Sequence, residues 1–158
     1  MKLLITGGAG YIGSHTCVEL LNAGHEVVIL DNLCNSSPKV VDRIQEITGK
    51  PVTFCPVDLL DYAATEEVFR AHHFDGVIHF AGLKAVGESV EKPLEYYHNN
   101  PTGTLHLLKL MKKHQVFTLV FSSSATVYGS PATVPITEDF PLSVTNPYGA
   151  TKLMTEEI

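Results

Sequence analysis

Tyr148 and Lys152 stand four residues apart, a spacing that puts a phenol and an amine on one face of a helix, one turn from each other. A phenol titrates near pH 10, so to act as a base at neutral pH its pKa must drop by about three units, roughly 4 kcal/mol in favour of phenolate. A neighbouring ammonium and the positive end of a helix dipole both supply stabilisation of that sign. Asn146 is placed to cap such a helix and Pro147 to open it, which puts Tyr148 in the first turn. Earlier in the chain comes Ser122-Ser123-Ser124-Ala125-Thr126-Val127-Tyr128, directly after a strand-like run. Ser124 can hydrogen-bond a hydroxyl that is losing its proton and relay that proton to Tyr148. Ser122 and Ser123 suit backbone groups left over where a strand ends. Tyr128 reads as a packing residue with a bonded hydroxyl, and a second base is the alternative.

A second constellation lies at the start of the chain. The first apolar run leads straight into Thr6-Gly7-Gly8-Ala9-Gly10-Tyr11-Ile12-Gly13. Glycines there permit a tight turn and let backbone N–H groups approach a pyrophosphate at a helix N-terminus. The triplet parses as Gly8-x-Gly10-x-x-Gly13 or as Gly7-x-x-Gly10-x-x-Gly13. Asp31, at the end of the second strand-like run, stands about twenty residues on, where the dinucleotide fingerprint expects an acid. Its carboxylate can accept from both adenosine ribose hydroxyls and would repel a 2′-phosphate, which favours NAD over NADP. Asp58 follows the third strand, where it can hold an adenine amino group or cap a helix. Phe80-Ala81-Gly82-Leu83-Lys84 follows the fourth, either as a small-residue floor beneath a cofactor or as a plain loop.

These residues need a scaffold that alternates strands and helices, and the chain supplies one. Strands are expected at 2–6, 26–30, 52–56, 76–80 and 119–122, each rich in Val, Ile, Leu or Phe as buried parallel strands are. Helices are expected at 12–22, 39–48, 64–72 and 101–114, with Gly24 and Gly49 just past two of the ends. Right-handed crossovers then give an α/β, Rossmann-like doubly wound parallel sheet of order 3-2-1-4-5. All of residues 1–158 are expected to form one cofactor-binding domain, ending a few residues into a helix that starts near Pro147, before any last strands.

Composition narrows the partners. With 158 residues, 44% hydrophobic, and a net charge of −6, the chain has a sizeable core and no basic stripe for nucleic acid. No signal-peptide core and no run of membrane-spanning length is present, so a cytoplasmic location is expected. Cys17, Cys34 and Cys55 form no Cys-x-x-Cys pair and read as reduced thiols without chemical duty. The eight histidines show no metal-ligand spacing, so no metal is expected; His15 and His79 read as satisfied by neighbouring backbone groups. The apolar face of 105–111 suits core or homodimer packing.

The Gly7-x-x-Gly10-x-x-Gly13 spacing resembles the extended short-chain dehydrogenases/reductases. The segments Gly7 to Thr16, Leu30 to Ser36 and His79 to Ser89 resemble the UDP-glucose 4-epimerases almost residue for residue, and the resemblance covers essentially the whole chain. It implies that Gly7, Gly10, Tyr11, Ile12, Gly13, Asp31, Asn32, Cys34, Asn35, Ser36, Asp58, Leu59, Phe80, Ala81, Gly82, Lys84, Asn99, Tyr148 and Lys152 hold NAD. It also implies that Ser124, Tyr148 and Lys84 reach a UDP-hexose. The implied reaction is transient oxidation at C4 of the hexose with a tightly held cofactor, in galactose metabolism, by a homodimer pairing through the helix near 101–114 and the one at Pro147.

Two departures stand out. Pro101 replaces the usual apolar residue after Asn99-Asn100; it is harmless if Asn100 caps the helix and disruptive if the helix starts earlier. Family members also continue for about as many residues again, with the UDP pocket and the last strands, so residues 1–158 alone are expected to bind NAD weakly and turn over nothing. Sugar-nucleotide 4,6-dehydratases carry Asp-Glu where this chain has Ala125-Thr126, which disfavours dehydration. Another nucleotide-sugar epimerase or reductase, or a non-catalytic NAD-binding module, remains the alternative.

Overall fold

The computed structural model describes residues 1–158, which divide into two compact units: 1–81 with 106–122, and 82–105 with 123–158. The first unit holds a sheet of five parallel strands, β1 (Lys2–Thr6), β2 (Glu26–Leu30), β3 (Thr53–Cys55), β4 (Gly76–His79) and β5 (Leu119–Phe121). Their order is β3-β2-β1-β4-β5, as the crossover rule requires. Strands β3, β4 and β5 are one or two residues shorter than their apolar runs predict. The register pairs Thr6 with Leu30 and with His79, and His79 with Phe121. Gly7, Asp31, Phe80 and Ser122 therefore leave the sheet at one edge, its carboxyl edge.

Strand alternation sends side chains to both faces. Leu3, Ile5, Val27 and Ile29 pack with Cys17 and Leu21 of α1 (Tyr11–Asn22) and with Val41 and Ile44 of α2 (Lys39–Thr48). Leu4, Val28 and Leu30 pack on the other face with Val68 and Phe69 of α3 (Tyr62–Ala71), and with Leu107, Leu110 and Met111. Core packing thus accounts for most of the apolar face at 105–111. Gly24 and Gly49 take the left-handed conformation expected past the ends of α1 and α2. Asp61, not Asp58, caps α3, accepting from the Ala64 N–H.

The second unit contains α4 (Val86–Glu91), a 3-10 helix (Ala125–Tyr128) and α6 (Pro147–Glu157), and α5 (Pro93–Lys113) passes from this unit into the first. Here the sequence reading needs correction. Helix α5 starts at Pro93, so Pro93 rather than Pro101 is the first-turn proline, and Pro101 lies buried inside the helix. Asn100 is no cap. Its side chain accepts from the Leu83 N–H (2.8 Å) and the Asn99 amide (2.9 Å), and donates to the Leu83 carbonyl (2.9 Å) and Thr151 Oγ1 (3.1 Å). Fully buried Tyr96 holds the preceding turn, donating to Glu88 Oε2 (2.8 Å) and accepting from the Ala85 N–H (3.0 Å). Those bonds keep the segment helical although Pro101 offers no N–H to the Tyr97 carbonyl. Pro101→Ala restores that donor and is expected to stabilise the protein by about 1–2 kcal/mol, read as a higher urea midpoint at unchanged m-value.

No helix is long and apolar enough to cross a membrane. The three cysteines are free, and burial pushes their thiols up, Cys17 to about 12, so none is poised as a thiolate.

Candidate functional site

The glycine turn is built by close approach. Gly7 has φ +70°, and a Cβ there would lie 2.6 Å from the Ala81 nitrogen; a Cβ on Gly13 would lie 2.3 Å from the Gly7 oxygen. Only glycine fits either position. Helix α1 opens at Gly10 without a side-chain cap, and Tyr11 and Ile12 lie exposed in its first turn. Its first N–H groups have no intrahelical acceptors, so this end can receive an anion such as a pyrophosphate.

Asp31 is 7% exposed, which excludes a solvated turn residue. Its Oδ2 accepts from the Ala9 N–H (3.0 Å), and its Oδ1 accepts from the Leu33 N–H (2.8 Å) and the Ser36 hydroxyl (3.2 Å). A carboxylate has about four lone-pair sites, so one is left for an outside donor. Receiving two ribose hydroxyls requires the Ser36 bond, the longest of the three, to open. The bond to Leu33 holds that residue at φ +60°, a conformation that side chains other than glycine adopt at a cost. Asn32 donates to Asp58 Oδ2 (2.8 Å) and accepts from the Cys34 N–H (3.0 Å), while Asp58 Oδ1 accepts from the Leu60 N–H (2.8 Å). Asp58 thus braces the loop and keeps lone pairs for an amino donor. Asn35 is exposed and Leu59 buried. Buried His79 is bonded through Nδ1 to Thr6 Oγ1 (2.6 Å). Exposed His15 packs edge-on against Tyr11.

The first unit therefore carries the turn, Asp31 to Ser36, Asp58, Leu59, Phe80 and Ala81. The second carries Gly82, Lys84, Asn99, Ser124, Tyr148 and Lys152. Asn146 caps α6 as expected, accepting from the Gly149 N–H (2.8 Å), with Pro147 in the first turn. Tyr148 is half-buried, and the Lys152 amine lies 5.8 Å from its ring centre. Lys152 is itself 7% exposed, and burial lowers it from 10.5 to about 8. Near pH 7 it is still mostly an ammonium, but one with little water to screen it. Ser124 caps the 3-10 helix, its Oγ accepting from the Thr126 N–H (3.2 Å) and Thr126 Oγ1 (2.9 Å). Ser123 donates to Glu156, and burial together with the negative charge of Glu138 pushes the Tyr128 phenol up. Lys84 is exposed and Asn99 half-buried.

A half-buried phenol beside a buried ammonium at the start of a capped helix can act as a proton acceptor, and an uncapped glycine-rich helix end can seat a dinucleotide. Residues 4–158 match the GDP-mannose 4,6 dehydratase family over almost their whole length. The chain belongs to that family. The UDP-glucose 4-epimerase of Bacillus subtilis is 65% identical over 158 residues, all of this chain and 47% of that protein. The crystal structure of UDP-glucose 4-epimerase from Bifidobacterium longum in complex with NAD+ and UDP matches with a TM-score of 0.98 at 56% identity, over 99% of this chain and 47% of that one. The UDP-Glc/GlcNAc 4-epimerase of Campylobacter jejuni matches with a TM-score of 0.94 at 40% identity, over 99% of this chain and 47% of that one. The chain thus spans about half the length of the relatives it matches.

Sequence reasoning missed Asn100, Tyr96 and Thr126. Asn100 grips both backbone groups of Leu83, next to Lys84, and reaches Thr151, between Tyr148 and Lys152. Its neighbour Pro101 was the only local signal, and it pointed to a cap.

Proposed function

We propose that this chain is the cofactor-binding half of a UDP-glucose 4-epimerase, which interconverts UDP-galactose and UDP-glucose by transient oxidation at C4 of the hexose. The observation that carries the reading is the Tyr148–Lys152 pair, with the amine buried beside the phenol on a capped helix. NAD, when bound, supplies the acceptor and later the donor of the hydride. The residues present fit it: the uncapped end of α1 suits the pyrophosphate, the spare lone pair of Asp31 suits a ribose hydroxyl, and Asp58 suits the adenine amino group.

Tyr148 takes the proton of the 4-hydroxyl, and Lys152 holds the phenol in a state able to take it. Ser124 hydrogen-bonds the reacting oxygen, and Lys84 reaches toward the substrate. Gly82 and Asn99 belong to the same set of NAD-holding residues. Dehydration, which the family description raises, needs an acid and a base after the fifth strand; Ala125 is a methyl group and Thr126 a hydroxyl bonded to Ser124. A role in galactose metabolism, a cytoplasmic location and a homodimer belong to the same reading. Leu105 on α5 and Met154 on α6 are each about two-fifths exposed and available to a second copy.

The test is the full-length protein with UDP-galactose. UDP-glucose is expected to form while reduced-cofactor absorbance ends where it began. Net accumulation of reduced cofactor, or loss of water from the sugar, sinks the epimerase reading; conversion of N-acetylated substrates at equal kcat/KM broadens it to the specificity named for the Campylobacter relative.

A further inference from the structure

Resting on the epimerase reading, we propose that Thr126 is a positioning residue which, by filling both lone pairs of Ser124 Oγ, makes Ser124 a hydrogen-bond donor only. A serine hydroxyl has one hydrogen to give and two lone pairs to accept with. Both lone pairs are occupied in the structure, one by the Thr126 N–H at 3.2 Å and one by the Thr126 hydroxyl at 2.9 Å. The Ser124 hydrogen is then the one part of the group left for an outside partner.

Thr126 is itself fixed. Its carbonyl accepts from the Gly129 N–H (3.2 Å), closing the 3-10 helix. A Cβ at Gly149 would meet that carbonyl at 3.0 Å and Thr126 Oγ1 at 3.3 Å. Thr126 therefore sits close against the first turn of α6, beside the residue that follows Tyr148.

The chemical consequence departs from a serine relay. A relay needs Ser124 to accept the sugar proton while giving its own to Tyr148, and no lone pair remains to accept with. The O–H bond of the 4-hydroxyl instead breaks with its proton passing directly to Tyr148 Oη, while the C4 hydride leaves as in the reading above. Ser124 donates to the same sugar oxygen throughout. That bond strengthens as the oxygen gains charge, so it acts on the transition state more than on substrate binding.

In the full-length protein, Thr126→Val is expected to lower kcat for UDP-galactose about tenfold with KM changed less than about twofold, and Thr126→Ser to keep kcat within about twofold of the parent. Ser124→Ala is expected to lower kcat at least as far, and adding Thr126→Val to it to cost nothing more, because the oxygen it orients is gone. The thermal midpoint of Thr126→Val should stay within about 2 °C of the parent. An unchanged kcat in Thr126→Val, a full further loss on the Ser124→Ala background, or a loss that tracks a fallen midpoint overturns the orienting role. If Ser124→Ala itself leaves kcat intact, the place of Ser124 in the epimerase reading fails, and the orienting role goes with it.

Discussion

Tyr148→Phe in the full-length protein is expected to cut kcat by about a thousandfold or more, some 4 kcal/mol of barrier, while NAD stays bound. The substitution removes one oxygen and keeps the ring, so the half-buried aromatic surface that the Lys152 amine approaches at 5.8 Å survives. What is lost is the acceptor for the 4-hydroxyl proton. Turnover of UDP-galactose and the cofactor retained after gel filtration are the two measurements. A rate within tenfold of the parent would remove Tyr148 as the base, and a rate loss accompanied by lost NAD would make it a binding residue instead.

Lys152→Met is expected to lower kcat about a hundredfold or more, because the reacting phenol loses the positive charge beside it. The same substitution has a stability signature of opposite character. Burial lowers Lys152 from 10.5 to about 8, so folding disfavours its charged form, at a cost of order 3 kcal/mol. Below about pH 8 the amine is protonated folded and unfolded, and the whole cost is present. Between about 8 and 10.5 the unfolded chain binds more proton than the folded one, so stability from this group rises with pH and the cost is gone above 10.5. Cys17, pushed up to about 12, works in the other direction above about pH 9, since its folded form holds a proton that the unfolded thiol releases. The difference between parent and Lys152→Met isolates the lysine: the parent should be the less stable at pH 7.5 and should gain on the variant by pH 9.5, as read by urea unfolding of the cofactor-free protein. A gap that does not change with pH would show that the amine is not desolvated.

Sequence alone carried the parts of the molecule whose cause is local. Strands β1 and β2 appear where their apolar runs lie, since a central parallel strand is buried on both faces and must be apolar throughout. The pair Tyr148 and Lys152 was legible from helical spacing, and Asn146-Pro147 from cap chemistry. Helix α4 was not, because Ala85 gives it no capping side chain and what fixes it is Tyr96, eleven residues on from Ala85. The early start of α5 was hidden by Pro101, a strong local stop signal overruled by tertiary bonds through Asn100. The partners of the Ser124 oxygen were not legible, because they lie in the fold of a 3-10 turn and no periodicity marks such a turn. Burial of the Lys152 amine was invisible for the same reason: spacing places it on a face but does not say what covers that face.

Asp31 has one more implication, for anyone who would redesign this turn. Three of its four acceptor sites are spent inside the protein, on Ala9, Leu33 and Ser36. The group that would discriminate one nucleotide from another is therefore also a strut of the loop that recognises it. Swapping Asp31 for a neutral residue to admit a phosphorylated ribose releases Leu33 from its left-handed turn and slackens the glycine crest at Ala9. Selectivity and rigidity are wired to one carboxylate, and a successful switch must bring its own replacement brace.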